Sequence, residues 1–414
     1  MSRFLIFFLS VCFSGALQAQ TGQRNIELGI TDTLSPKRFH AGFPVSKLKG
    51  YRLVDQLTGK TFPAQAVDSL RLVCLLNGIE PGKRKFKLLE SRSGKLNRGV
   101  KVTADRQTVK VSVDGKPVFS YHLEKVKPPP DSPAYYERSG FIHPLMSPNG
   151  VVLTDDFPAG HAHQHGIFMT WVNTTFRGSK VDFWNQHQKT GTVEHVDFNI
   201  VEQGPVFTKL KFVLDHRSHV HGAVLRETWY VTIYSRSAFF LFDLESTQEN
   251  ITRDTLYLNQ YHYGGLALRG NRAWNRHDTA NYRADWRLLT DSGFVASNAN
   301  HRHAEWVDIA GDIGNKTGGV TVFSHPDNFR HPQAIRVHPE MPYWCYAPVV
   351  DGPFKISPGE KLVSKYRYFV HEGEPDTEKI RALQIEWAEV NVLTPCWKKD
   401  GKEAAQLPEA VNQN

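Results

Sequence analysis

Ala223-Val224-Leu225-Arg226-Glu227-Thr228-Trp229-Tyr230-Val231-Thr232-Ile233-Tyr234 is the stretch on which the fold turns. Leu225, Trp229, Val231 and Ile233 fall on one side of a two-residue repeat, and Arg226, Thr228, Tyr230 and Thr232 on the other. Side chains of an extended chain point alternately to opposite faces, so the pattern predicts a strand with one buried face. Glu227 interrupts the apolar side and leaves the alternation partial. Thr192–Glu202, Phe207–Leu214, Ala238–Ser246, Thr255–Tyr263, Gly319–Phe323 and Ser364–His371 also read as strands. Long strands joined by short turns, without alternating helices, predict an all-β fold of large antiparallel sheets. No repeat of propeller or solenoid period is visible.

Outward from this block the organisation changes. Upstream, Val109–Val113 and Pro117–Leu123 flank Asp114-Gly115, a dipeptide suited to a type I′ hairpin turn. Val126-Lys127-Pro128-Pro129-Pro130-Asp131-Ser132-Pro133 reads either as a stiff linker or as a loop within a domain. Residues 20–98 carry short strands at Tyr51–Leu57, Leu70–Leu76 and Lys85–Leu89, and form a candidate N-terminal β accessory domain. Residues 1–19 read as a secretory signal peptide: Arg3, an apolar run from Phe4 to Phe13, then Leu17-Gln18-Ala19 before the cut. The expectation is a periplasmic or secreted protein without a membrane span, since no later stretch approaches the required apolar length. Downstream, the main β domain extends over 99–395. It ends in a helix expected at Thr377–Val390, with Ile380, Leu383, Trp387 and Val390 on one face, followed by a polar tail at 396–414.

Composition narrows the function classes. The chain has 414 residues, 40% hydrophobic and 22% charged, which suits a soluble globular protein rather than a disordered or membrane-spanning one. A formal charge of +8, scattered apart from a loose basic stretch at Lys83–Lys101, argues against nucleic acid as a partner. Cys74, Cys345 and Cys396 would remain after signal cleavage. Three is an odd number, no Cys-x-x-Cys pair occurs, and buried, idle thiols are the simplest reading. There is no phosphate-binding glycine loop, no Gly-x-Ser-x-Gly elbow and no His-Glu-x-x-His helix.

Chemistry concentrates in Asp155-Asp156-Phe157-Pro158-Ala159-Gly160-His161-Ala162-His163-Gln164-His165-Gly166. On an extended segment, His161, His163 and His165 would share one face. Three imidazoles so placed can hold a divalent metal, transfer protons, bind a polyol or brace a loop. Asp182 and Trp184, in Asp182-Phe183-Trp184-Asn185-Gln186-His187, read as a sugar-binding edge or as a core plug. His262 and Arg269 are polar groups inside a β-like run ending in Gly264-Gly265, and so are candidate site residues. Glu340 is the best-placed lone carboxylate for a general base, and Asn328 follows His325-Pro326-Asp327 in a turn or a binding loop.

These stretches resemble a family of exported bacterial proteins, DUF6807, also called "PmoA-like". The match runs through Phe141-Ile142-His143-Pro144-Leu145, Asp156-Phe157-Pro158, His161 to Gly166, Asp182-Phe183-Trp184, Gly264 to Arg269 and His325-Pro326-Asp327-Asn328. It covers roughly residues 100–372 and places the proline stretch inside a domain. The family's histidine motif usually reads His-Pro-His-His-Arg-Gly. Ala162, Gln164 and His165 depart from it, which favours His161 and His163 over a three-histidine metal centre. A methane-monooxygenase subunit is excluded by the lack of membrane spans. The resemblance implies a galactose-mutarotase-like supersandwich and, by association with sugar oxidoreductases and polysaccharide-degrading proteins, carbohydrate work. The expectation is therefore a carbohydrate-active enzyme, hydrolase, lyase or epimerase, acting on a mono- or oligosaccharide. In it His161, His163 and His262, with Glu340, would be acid and base, and His165, Asp182, Trp184, Arg269 and Asn328 would hold substrate. A non-catalytic carbohydrate-binding protein and a metal-dependent oxidative enzyme are the alternatives.

Overall fold

Strand pairing follows the two-residue periodicity closely. A computed structural model of the chain describes residues 23–30, 33–91 and 99–388, with 392–393, 398–399 and 402–403. The expected signal peptide, Val390, Cys396 and most of the polar tail lie outside the described residues. Ala223–Tyr234 lies within the strand Gly222–Tyr234, between Phe207–Ser218 and Phe240–Asn250, antiparallel to both. Leu225, Trp229, Val231 and Ile233 are buried in the main core. Glu227, the apparent break in the pattern, is buried as well. Its carboxylate accepts from Trp229 Nε1 at 2.6 Å and Ser246 Oγ at 2.5 Å, and lies 2.8 Å from His216 Nε2. A carboxylate can occupy an inward position when its oxygens are satisfied in this way.

This strand belongs to an eight-stranded sheet in the order 191–203, 207–218, 222–234, 240–250, 361–372, 316–324, 306–313, 286–290. A nine-stranded sheet runs 303–304, 333–337, 343–346, 265–269, 167–170, 142–145, 116–122, 108–113, 100–104. The two share one core: Ile167, Met169, Leu266, Leu268, Trp344 and Tyr346 meet Leu210, Phe212, Trp229, Val231, Phe242 and Tyr368. The architecture is therefore all-β, two large antiparallel sheets face to face. A four-stranded sheet of 179–181, 174–176, 256–258 and 354–356 joins them.

The nine-stranded sheet is buried on its other face too. Phe168, Ala267, Tyr343 and Cys345 alternate with the core residues and form a second apolar cluster with Phe141 and Trp184. That face carries the site described below. The proline stretch lies in the connection between neighbouring strands Lys116–His122 and Ile142–Leu145. Residues 23–91 form most of a seven-stranded sheet with its own core around Leu28, Leu53, Phe86 and Leu88.

One strand boundary differs from expectation. Thr255–Tyr263 is extended only at Leu256–Leu258, because the chain leaves the sheet before Gly264 and Gly265, with φ of +135° and +131°. The helix spans Thr377–Ala388. Asp376 caps it through its side chain to the Lys379 N–H at 3.0 Å, and Ile380 and Leu383 are buried against Val73, Leu75, Phe207 and Phe369. Asp114 and Gly115 both have positive φ, as a type I′ turn requires. Cys74 and Cys345 are free and buried, and no described helix is long and apolar enough to cross a membrane.

Candidate functional site

The histidine stretch is not extended. His161 N–H donates to the Pro158 carbonyl at 3.0 Å, Gln164 N–H to the His161 carbonyl at 2.9 Å, and Phe157 N–H to the Gln164 carbonyl at 3.2 Å. Phe157 and Gly160 adopt positive φ, and Asp156 bridges His165 to close the loop. Turn chemistry thus overrides alternation and separates the three rings. His161 and His163 lie on the loop with ring centroids 5.5 Å apart. His165 sits at its base, fully buried among Phe141, Phe157 and Phe168, with Nδ1 2.6 Å from Asp156 Oδ1. Burial pushes the Asp156 carboxyl up to about 6 and drives His165 toward its neutral form. His165 is a brace for the loop, not a third ligand or a substrate contact. Among the described residues no group of three His, Cys, Asp or Glu side chains is arranged to hold a metal ion.

Two other loops complete the array. His187, in the 3-10 turn Gln186–Gln188, places its ring 5.9 Å from His163, and His338 places its ring 5.6 Å from His161. The rings thus run His187, His163, His161, His338 across the outer face of the nine-stranded sheet. His338 Nδ1 accepts from the Glu340 and Met341 N–H groups at 3.2 and 3.1 Å, so its proton sits on Nε2. Desolvation is the first cause holding His161, His163 and His338 neutral, and neighbouring imidazoles and Arg269 add to it. The His163 imidazolium is pushed down to about 3, His338 to about 4, and His161 is lowered as well.

Arg269 lies beneath the array, fully buried, with Nη1 donating to Gln164 Oε1 at 2.9 Å. Its own acidity is raised by burial, to a pKa of about 10. The guanidinium acts on the rings above it through its charge, and its role is positioning rather than substrate contact. Beside it, Arg272 donates twice to Asp155 Oδ1, at 2.9 and 2.7 Å.

Several expected site residues lie elsewhere. Trp184 is fully buried, packed on Phe168, Tyr263 and Tyr343 at 4.8, 5.1 and 6.1 Å, and offers no face for a sugar. Asp182 is also buried: Oδ1 accepts from the Trp184 and Asn185 N–H groups at 2.9 and 2.7 Å, and Oδ2 from Asn185 Nδ2 at 2.9 Å. It shapes the loop that delivers His187. Asn328 ties its turn to Lys365 through both ends of its amide, and His325 accepts from the Asp327 N–H. His262 is exposed, with Tyr261 and Tyr263 as its ring neighbours rather than His161 or His163. Glu340 is 62% exposed and pairs with His277 Nε2 at 2.8 Å, so it marks the rim of the array. Asp182→Ala is expected to lower the unfolding free energy by ~1–3 kcal/mol, the cost of stranding buried N–H groups. Urea titration measures this, and an unchanged midpoint would contradict the bracing role.

Sequence reading missed the parts played by His187, which stood in a stretch already singled out, and by His338, two residues before Glu340. It passed over His277 entirely. The usable signal was a histidine beside Gln186, closing the Asp182 to His187 stretch, and one ahead of Pro339.

The family model described as a family of unknown function, DUF6807, matches residues 108–384. The chain belongs to this family. The matched region contains every member of the array. No curated protein matches the chain. Among solved structures it is similar to an α-mannosidase from Enterococcus faecalis V583, at 12% identity and a TM-score of 0.43 over 93% of this chain and 47% of that one. It is also similar to a galactose mutarotase related enzyme from Lactobacillus acidophilus, at 8% identity and a TM-score of 0.31 over 66% of this chain and 97% of that one. A putative aldose 1-epimerase from Escherichia coli K12 aligns at 10% identity and a TM-score of 0.26, over 66% of this chain and 99% of that one. The chain spans about half the length of the mannosidase it matches. Within DUF6807, then, this chain presents a four-histidine array over a buried arginine.

Proposed function

We propose that this DUF6807 protein is an exported carbohydrate-active enzyme that moves a proton at a mono- or oligosaccharide bound over the histidine array. The carrying observation is the row of four imidazoles, with His161, His163 and His338 held neutral above the fixed charge of Arg269. The choice of a sugar follows the family resemblance, and export follows the Phe4–Phe13 apolar run.

Neutral imidazoles offer one donor and one acceptor each, which suits vicinal hydroxyls. His338 Nε2–H is the fixed donor, aimed by the two backbone N–H groups on its Nδ1. His163 is the base. Abstraction of a proton from a sugar hydroxyl leaves an alkoxide, and abstraction from the carbon beside a sugar carbonyl leaves an enolate; either negative charge raises the imidazole's affinity for the proton as it arrives. Arg269 opposes early protonation and keeps the base free in the resting state.

The test is a saccharide panel with product analysis, followed by a pH profile on whichever substrate turns over. Because His338 and His163 protonate only near 4 and 3, kcat/KM should stay flat from pH 8 to about 5 and fall below that as the array takes up protons. A descending limb centred near the ordinary histidine value of about 6.5 would sink the assignment. Binding without turnover across the panel would make the protein a carbohydrate-binding module instead.

A further inference from the structure

A seam lies on the far side of the molecule from the array, between the N-terminal sheet, the helix Thr377–Ala388 and the outer face of the eight-stranded sheet. It holds two cavities, of about 240 Å³ and about 310 Å³. Arg38, Lys209, Thr232 and Tyr234 line both, so they stand where the two meet. No residue of the histidine array lines either one, and the core shared by the two large sheets separates the sites.

The charges around this junction are unevenly committed. Asp243 is held by Arg367 at 2.6 Å, Glu202 by Lys47 at 2.6 Å, Asp68 by Arg71 at 2.5 Å, and Glu386 by Lys37 at 2.5 Å. Lys365 pairs with Asp327 at 2.8 Å. Arg38 and Lys209 have no carboxylate partner among the described residues. Lys209 Nζ rests 4.6 Å from the centroid of the Tyr230 ring, and Arg38 is exposed. Glu245 is the one lining carboxylate without a described cation partner. Uncommitted cations facing one cleft from two different sheets, beside Tyr230 and the Thr232 hydroxyl, form an incomplete anion site. A carboxylate can take charge-assisted hydrogen bonds from both cations while a sugar ring lies along the aromatic wall.

We propose that this seam is a second binding site, separate from the histidine array, for the acidic group of an anionic saccharide. The saccharide part of the proposal rests on the function proposed above. The anion part rests on Arg38 and Lys209.

The test is calorimetry on the full chain with tetragalacturonate, neutral maltotetraose and sodium sulfate as probes. Tetragalacturonate should bind the wild type and His163→Ala alike, and about tenfold more weakly after Arg38→Ala with Lys209→Met. Lys209→Met keeps the stem against Tyr230, and a matching unfolding midpoint controls for folding. Arg38→Glu provides a second variant, expected to weaken binding further. The proposal is overturned if the double variant retains the wild-type Kd, if maltotetraose or sulfate binds as tightly as tetragalacturonate, or if tetragalacturonate does not bind. Array function is read by turnover of His163 variants and seam function by binding to Arg38 and Lys209 variants, so either reading can fail alone.

Discussion

His163→Ala is expected to lower kcat on any saccharide the wild type turns over by about 10²–10⁴-fold, the range for loss of a positioned acid or base. Its ring lies between those of His161 and His187, so it is central to the array. Removing it deletes the proposed base and opens the row on both sides. Substrate affinity should fall far less than kcat, since His161, His187 and His338 still present their nitrogens. His338→Ala should act differently, raising KM along with the loss in kcat because a fixed donor is gone. Wild-type turnover in His163→Ala would end the assignment of the base.

Trp184→Ala should be the most destabilising single change near the site, by ~3–5 kcal/mol, the cost of a large cavity in a packed cluster. The indole fills the space between the outer face of the nine-stranded sheet and the loops above it, against Phe168, Tyr263 and Tyr343. The midpoint of urea unfolding reads this out. Trp184→Phe keeps much of the volume and should recover more than half of the loss. The contrary result is an unchanged midpoint with lost saccharide binding, which would return Trp184 to the role of a stacking surface. Because His187 follows three residues later on the same loop, Trp184→Ala should also depress turnover, in step with the structural damage.

The fold was legible where burial imposes a period on the chain. Leu225 to Ile233 could be read because a strand with one wet face must alternate, and even Glu227 fell on the correct side. Thr255–Tyr263 misled because composition suited a strand while Gly264 and Gly265 required backbone conformations that end one. The site was legible only as a location. The histidine stretch was the correct loop, but a period-2 argument presumes extension, and Gly160 with the His161–Gln164 turn removes it. His187 and His338 could not be paired with it, because convergence of loops from distant strands leaves no local pattern. Their louder neighbours Trp184 and Glu340 attracted the roles instead. Arg269 announced itself as a charge in an apolar run, which correctly signals burial, but burial made it a support rather than a contact.

The order of the eight-stranded sheet has a consequence for biosynthesis. The strand Lys361–Glu372 comes after all the others in that sheet, yet it lies in the middle, between Phe240–Asn250 and Lys316–Ser324. A nascent chain that has not reached Lys361 therefore carries two half-sheets with open inner edges, unable to join. Their union waits for the arrival of a single late segment, and until then the edges are free to pair with other chains. Ribosomal stalling or premature termination upstream of Lys361 should thus yield aggregating fragments rather than a shorter, working protein.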